Sequence, residues 1–399
     1  SSCCDDARLF PAAKVDLMQW PFPPATYIEH DSDFQKLVKK LRQEPLIAID
    51  TESNSLHAYR ERVCLVQLST RKADYIVDPL RVANLHLLGD LLADPAIEKV
   101  FHAAEYDLMC LKRDYDFTIT NMFDTMIAAR ISGVKAVGLN RLLADYCGVQ
   151  MDKSHQRDDW GQRPLSEEGL LYAQMDTHYL PELRDKMLVV LKENGRLEEA
   201  REMFVEGCQV PAAQVASFDP DAYWRMGIPA DLNRRQMGVL RELVLMREQL
   251  AEERDCPPFK VFTDKMLIAI AEASPTHTNE LAKIHALPTS LAKRYGRQVV
   301  SAVEKGRRGP LPRPPRRPPD VDPVVAERFT ALRDWRRVRA EERGVESDII
   351  LSRDALWGLA IKAPNSLDEM QDIRGLGPWR LAAYGHEILD VMRRFDAGE

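Results

Sequence analysis

Asp50 and Glu52 stand two residues apart at the end of the apolar run Leu46-Ile47-Ala48-Ile49. In an extended chain that spacing puts both carboxylates on one face. Neighbouring acids repel each other and resist burial, and a hard divalent cation relieves both costs through oxygen ligands. Taken alone, the pair equally suits a strand that ends in a solvated polar turn. Asp107 lies further on in Phe101-His102-Ala103-Ala104-Glu105-Tyr106-Asp107, early in a helical pattern, where an acid is commonly a cap or a dipole partner. Tyr172 and Asp176 are four residues apart on another helical pattern and so share a face, as many surface pairs do. Taken together, four acids and a tyrosine can converge at one end of a sheet. The chemistry they suit is phosphodiester hydrolysis with two divalent ions, Mg²⁺ or Mn²⁺, roughly 3.5–4 Å apart. Asp50, Glu52, Asp107 and Asp176 would be the metal ligands. One ion would activate the attacking water and the other would stabilise the leaving 3′ oxygen. The Tyr172 hydroxyl, with an ordinary pKa of about 10, is a poor base and would orient the water instead.

For these residues to meet, the chain must supply a sheet and the helices that cross it. Leu46–Glu52 reads as a buried strand, followed by strands over Val63–Leu68 and Ala73–Val77. A hairpin turn at Ser69–Lys72 would join these two, giving an antiparallel meander that begins at the acidic strand. Lys99–His102 is a fourth strand. Helices are expected over Asp33–Leu41, Leu85–Leu92, Glu105–Arg113, Phe123–Ile131 and Leu139–Tyr146, with one long helix over Ser166–Leu191. The result is an α/β domain over residues 26–210, after an extended or disordered lead-in over 1–25. From Leu232 onward only helices are expected, in two blocks over 220–305 and 324–399. Between them Gly306–Pro323 is rich in proline and arginine, and is expected to be a non-helical spacer of polyproline II type over 306–323. The blocks are similar in length and each opens on an arginine-rich helix, which suggests a diverged duplication.

Composition bounds the class. A chain of 399 residues, 45% hydrophobic and 29% charged, suits a soluble protein of two or three domains. No run approaches the roughly 20 apolar residues of a membrane span, so no membrane partner is expected. Ser1–Asp6 has neither a basic start nor an apolar core, so no signal peptide is expected. The seven cysteines are odd in number and form no Cys-x-x-Cys pair, which points to free thiols in a reducing cytoplasm. The net charge of −7 argues against a polyanionic partner only on average. Residues 1–200 hold 24 basic against 32 acidic residues, and residues 201–399 hold 31 against 30. Local basic patches, not net charge, would hold such a partner.

The order Asp50-x-Glu52, Asp107, Tyr172-x-x-x-Asp176 resembles the three exonuclease motifs of the DEDD superfamily in its tyrosine branch. The histidine branch would place histidine where Leu171 stands. Phe101-His102-Ala103 and the stretch from Lys153 to Leu165 resemble the ribonuclease D family in particular. Tyr223-Trp224-Arg225, Leu240–Leu243, Arg247-Glu248 and Pro257–Val261 are similar to an HRDC (helicase and RNase D C-terminal) domain. Leu332–Arg336 through Ile373-Arg374-Gly375-Leu376-Gly377 are similar to a second one. Glu105-Tyr106 and the long spacer depart from the family pattern without removing a ligand. The resemblance implies an RNase-H-like exonuclease domain with a mixed sheet, followed by two all-α HRDC domains. It also implies a 3′→5′ exoribonuclease that releases nucleoside 5′-monophosphates from RNA with a free 3′ hydroxyl, tRNA precursors included, and acts as a monomer. His102, Lys153, Arg157, Trp160 and Arg163 are candidates for RNA contact, each with a plain structural alternative. Arg307, Arg308, Arg313, Arg316 and Arg317 form the most basic run, a solvated linker unless it holds an RNA backbone. The helical half would add affinity and substrate choice rather than chemistry. Two rivals stand beside this reading: a DNA 3′→5′ exonuclease of proofreading type, and an RNA-binding protein with a silent nuclease fold.

Overall fold

The computed structural model describes residues 22–151, 154–213, 218–227, 232–315 and 320–397. Most of the lead-in, Lys153, Arg316 and Arg317 lie outside the described residues. The strands are β1 (Thr26–Ile28), β2 (Leu46–Ser53), β3 (Val63–Ser69), β4 (Asp74–Val77), β5 (Glu98–Phe101) and β6 (Met122–Asp124). They form one mixed sheet in the order β1-β4-β3-β2-β5-β6. The expected meander β2-β3-β4 is antiparallel, while β1, β5 and β6 pair in parallel with β4, β2 and β5.

The helices of this domain are α1 (Asp31–Leu41), α2 (His86–Ala93), α3 (Glu105–Tyr115), α4 (Thr125–Ile131), α5 (Leu139–Leu142), α6 (Glu167–His178), α7 (Leu180–Glu193) and α8 (Leu197–Gly207). Alternation along β2 sorts them into two layers. Ile47 and Ile49 pack with Phe34, Leu88 and Leu108 of α1, α2 and α3. Leu46 and Ala48 pack with Ala128, Leu183 and Met187 of α4 and α7. Continuing the alternation, Asp50 and Glu52 belong to the second face and Thr51 to the first.

Three expectations need correction. β1 and β6 were not expected as strands; each has only three residues, too few for a periodic signal, and each exists by pairing with a neighbour. The single long helix is two helices, because Pro181 lacks an N–H and restarts the chain as α7 after Tyr179. The spacer begins later than Gly306, since α12 (below) continues to Arg308. Gly306 is no helix breaker. It sits where α12 crosses α9, and a side chain there would run into the Val239 backbone.

The second half is all helical among the described residues. α9 (Arg234–Glu253), α10 (Pro258–Val261), α11 (Asp264–Ala273) and α12 (Thr289–Arg308) surround one core. α13 (Pro323–Arg343), α14 (Ser347–Ile350), α15 (Arg353–Lys362) and α16 (Pro378–Ala397) surround another. The helix lengths run 20, 4, 10 and 20 residues in the first unit and 21, 4, 10 and 20 in the second. Such a repeated pattern is the mark of a duplication. The first unit meets the β2–β3 connection, where the Tyr59 hydroxyl donates to Glu248 (2.7 Å) and Arg60 pairs with Glu252 (3.2 Å). The second meets α4 and α8. Arg130 pairs with Glu346 and Asp348, Arg343 with the buried Glu199, and Arg380 with Glu202 and Glu206. Among the described residues no helix is long and apolar enough to cross a membrane.

Candidate active site

β2 pairs with β5 only over Leu46–Ala48, so its acidic end runs past its parallel neighbour. α3 begins four residues after β5 ends and delivers Asp107 from its first turn. On the opposite face α6 lies across β2, β3 and β4. Its inner side combines the apolar Ala173 with hydrogen-bonded polar groups. The buried Gln174 donates to Asp74 (2.6 Å) and to the Pro23 carbonyl, and accepts from the Ala25 N–H. Thr177 meets Ser69 at 2.7 Å, and Ser166 caps the helix at the Gly169 N–H. These bonds set the rotation of α6, and with it the direction of Tyr172 and Asp176.

Asp50, Glu52 and Asp176 each place a carboxylate oxygen within 4.8 Å of the others. Asp107, 8% exposed, lies outside that trio, but its charge acts on all three of its members. Its Oδ1 accepts from the Thr51 N–H (3.1 Å) and the Thr51 hydroxyl. Among the described residues no lysine or arginine pairs with any of the four acids. The electrostatic consequence is clear. Burial, then the charges of Asp107, Asp176 and Glu52, hold the Asp50 carboxyl well above its usual range. Burial followed by Asp176 and Asp107 does the same to Glu52. Burial pushes Asp107 up to about 7, against the Thr51 hydrogen bonds. It pushes Asp176 up to about 7 as well, helped by Asp107 and opposed by the Tyr172 hydroxyl. Such a set lacks positive charge, and its all-oxygen donors fit hard divalent cations. Burial, then Asp176, Glu52 and Asp50, raise the Tyr172 hydroxyl beyond its ordinary range, so it stays protonated and acts as a donor.

The other predicted residues divide. His102 is half-buried, with Nδ1 2.9 Å from the Thr125 hydroxyl, which itself donates to the Phe101 carbonyl. The proton therefore sits on Nδ1, and burial keeps the ring neutral. Arg157 is exposed. Arg163 is not available to a ligand, because its guanidinium is spent on Asp78 (2.6 and 2.9 Å) and on the carbonyls of Cys64, Trp160 and Gln162. Trp160 is 2% exposed and stacks on Tyr172 with ring centroids 6.1 Å apart, so its face is covered by protein. Lys153 lies outside the described residues. His178 turns away to Asp74 (2.7 Å). The sequence reading missed Thr51, which orients Asp107, and Asp124, which caps α4 and accepts the N–H groups of Ala103 and Ala104. It also missed His155, whose ring lies 6.3 Å from Tyr172. A polar residue alternating with the two acids on a strand is the only signal that marks Thr51.

This sheet order, this acid set and the trailing helical repeats define a 3′→5′ exonuclease carrying HRDC domains. A family model for the 3′-5′ exonuclease domain matches residues 25–192, and one for the HRDC domain matches 236–303 and 325–392. The chain is 32% identical to a ribonuclease D from Gluconacetobacter diazotrophicus, over 92% of this chain and 93% of that protein. The crystal structure of Escherichia coli RNase D superposes with a TM-score of 0.61 at 26% identity, covering 93% of this chain and 99% of that one. The catalytic core of RRP6 from Trypanosoma brucei superposes with a TM-score of 0.64 at 30% identity, over 71% and 79% of the two chains. The chain belongs to the ribonuclease D family and is a 3′→5′ exoribonuclease.

Proposed function

We propose that Asp50, Glu52, Asp107 and Asp176 hold two divalent cations, and that the enzyme hydrolyses RNA from its 3′ hydroxyl end to release nucleoside 5′-monophosphates. The observation that carries this is the carboxylate trio within 4.8 Å with no basic partner among the described residues. When bound, Mg²⁺ or Mn²⁺ supplies Lewis acidity and a water of lowered pKa. The chain supplies the rest. Thr51 engages Asp107 through Oδ1, which leaves Oδ2 to ligate. Tyr172, kept protonated, donates a hydrogen bond that orients the attacking water, while Trp160 holds its ring in place. Near the acids, the half-buried His102, with Nε2 as the acceptor, and the exposed Arg157 are candidates for RNA contact. The favoured substrates are structured RNAs with short 3′ tails, tRNA precursors among them. In support, the E. coli neighbour is described as an exoribonuclease involved in structured RNA processing. Work as a monomer in the cytoplasm belongs to the same reading, and a reducing compartment fits the described cysteines, which are all free.

The test is to incubate 3′-tailed RNA and a matched DNA with Mg²⁺, Mn²⁺ or EDTA, and to read the products at single-nucleotide resolution. Stepwise mononucleotide release from RNA, abolished by EDTA, is expected. Equal turnover of the DNA, or activity in EDTA, would reject the reading.

A further inference from the structure

Tyr172 is walled in by a loop that has little core of its own. Across residues 154–163 half of the side chains are exposed, and Trp160 is the one that is buried. Trp160 packs on Tyr172 from one side, and the His155 ring approaches it at 6.3 Å. Such a loop takes its position from anchors at its rim. One end is tied by Arg163 to Asp78 and the Cys64 carbonyl. The middle is tied at the Arg157 carbonyl, 3.0 Å from Nε2 of His57.

His57 stands in the β2–β3 connection, five residues after Glu52, and its own N–H is held by the Asn54 carbonyl (2.9 Å). Nδ1 of His57 lies 3.2 Å from Lys260 Nζ. An ammonium can only donate, so Nδ1 is the acceptor and Nε2 carries the proton that Arg157 receives. A neutral imidazole in this tautomer satisfies both contacts at once. Asp159 Oδ2 is the nearest acid, at 3.8 Å from Nδ1. Lys260 belongs to α10 of the first helical unit. That unit grips the same connection through Tyr59–Glu248, Arg60–Glu252 and the Tyr59 N–H to Asp255 (3.1 Å). A continuous set of contacts therefore runs from α10 through His57 and the Arg157 carbonyl to Trp160 and Tyr172.

We propose that His57 and Lys260 are positioning residues for the exonuclease reaction. Docking of the first helical unit, read through His57, sets the loop that orients Tyr172. That helical unit thereby contributes to bond cleavage and not to RNA affinity alone. The inference rests on the assignment of Tyr172 made above.

The experiment uses the full chain and a short single-stranded oligoribonucleotide in single-turnover cleavage, with rate and half-saturation read separately and thermal midpoints recorded. His57→Ala and Lys260→Met are each expected to slow cleavage about tenfold, with half-saturation within about twofold, because a displaced catalytic group loses rate rather than affinity. His57→Gln carries both a donor and an acceptor and should recover most of the loss. In a Tyr172→Phe background, His57→Ala should add nothing. Lowered thermal midpoints with unchanged rates in His57→Ala and Lys260→Met would reduce the contact to interdomain cohesion and overturn the proposal. A further tenfold loss on top of Tyr172→Phe would overturn the route through Tyr172. Full rate in Tyr172→Phe itself would overturn the Tyr172 assignment and this inference together. A slow Tyr172→Phe beside full-rate His57→Ala and Lys260→Met would overturn the positioning role alone.

Discussion

Asp50, Glu52 and Asp176 sit where burial and mutual repulsion both oppose their charge. Asp50→Asn and Asp176→Asn keep shape and remove charge, and should cut turnover by orders of magnitude while the fold survives. Near-normal single-turnover rates in saturating Mg²⁺ would contradict the ligand assignment. Tyr172→Phe should leave RNA and metal binding intact and slow the chemical step by between about 10² and 10⁴-fold. Lost RNA affinity at an unchanged rate would make Tyr172 a binding residue instead. Asp107 and Asp176 also carry a pH signature. Both titrate at about 7 in the folded, cation-free chain, above the unfolded value of about 3.9. Between those values the unfolded chain releases protons that the folded chain keeps, so stability falls as pH rises toward 7 and stays reduced above it. A cation bound to the folded state removes that loss. The gain in thermal midpoint on adding Mg²⁺ should therefore be larger at pH 8 than at pH 5, and equal gains at the two pH values would count against a cation at these acids.

At the scale of elements, the turn between β5 and α3 depends on one buried side chain from β6. Asp124, 1% exposed, accepts from the N–H groups of Ala103, Ala104, Met126 and Ile127 at 2.8–3.2 Å. It thereby caps α4 and fixes Ala103 at φ +61°, beside His102 and ahead of Asp107. Asp124→Ala would strand several buried donors, at a cost of about 2–4 kcal/mol. Urea unfolding should show that loss, and the surviving folded enzyme should also be slow because the Asp107 turn is displaced. A loss below about 1 kcal/mol would mean that water or backbone movement satisfies those groups.

For the whole molecule, acids are spread evenly but bases are not, 24 over residues 1–200 against 31 over residues 201–399, and the most basic run sits at the end of α12 and beyond. Arg307 and Arg308 occupy the last turn of α12, and Arg313 follows it. Replacing all three by glutamine should weaken binding of a tailed hairpin and flatten the logarithmic salt dependence by at most about 2, at roughly 0.7 per phosphate contact. Cleavage of a short single strand should be nearly unchanged. Equal losses on both substrates, with the salt slope intact, would assign these arginines to folding rather than to RNA.

The local order of residue types marked the candidate acids, the meander β2-β3-β4 and the all-helical second half, because each leaves a periodic or chemical trace within a few residues. The acids of β2 are legible since a strand that buries Leu46–Ile49 has no structural use for two charges on one face. Tertiary structure alone decided the short strands β1 and β6, which pairing creates; the break at Pro181, by contrast, has a local cause, since proline has no N–H to give a helix interior. Tertiary structure also decided the fates of Arg163 and Trp160. A basic and an aromatic residue beside a catalytic motif look the same in sequence whether they face RNA or protein. Only the arrival of Asp78, 85 residues away, and of Tyr172, on the helix that follows, commits them to the fold. The docking of α10 on His57 is of the same kind, a contact 203 residues apart that no local pattern encodes.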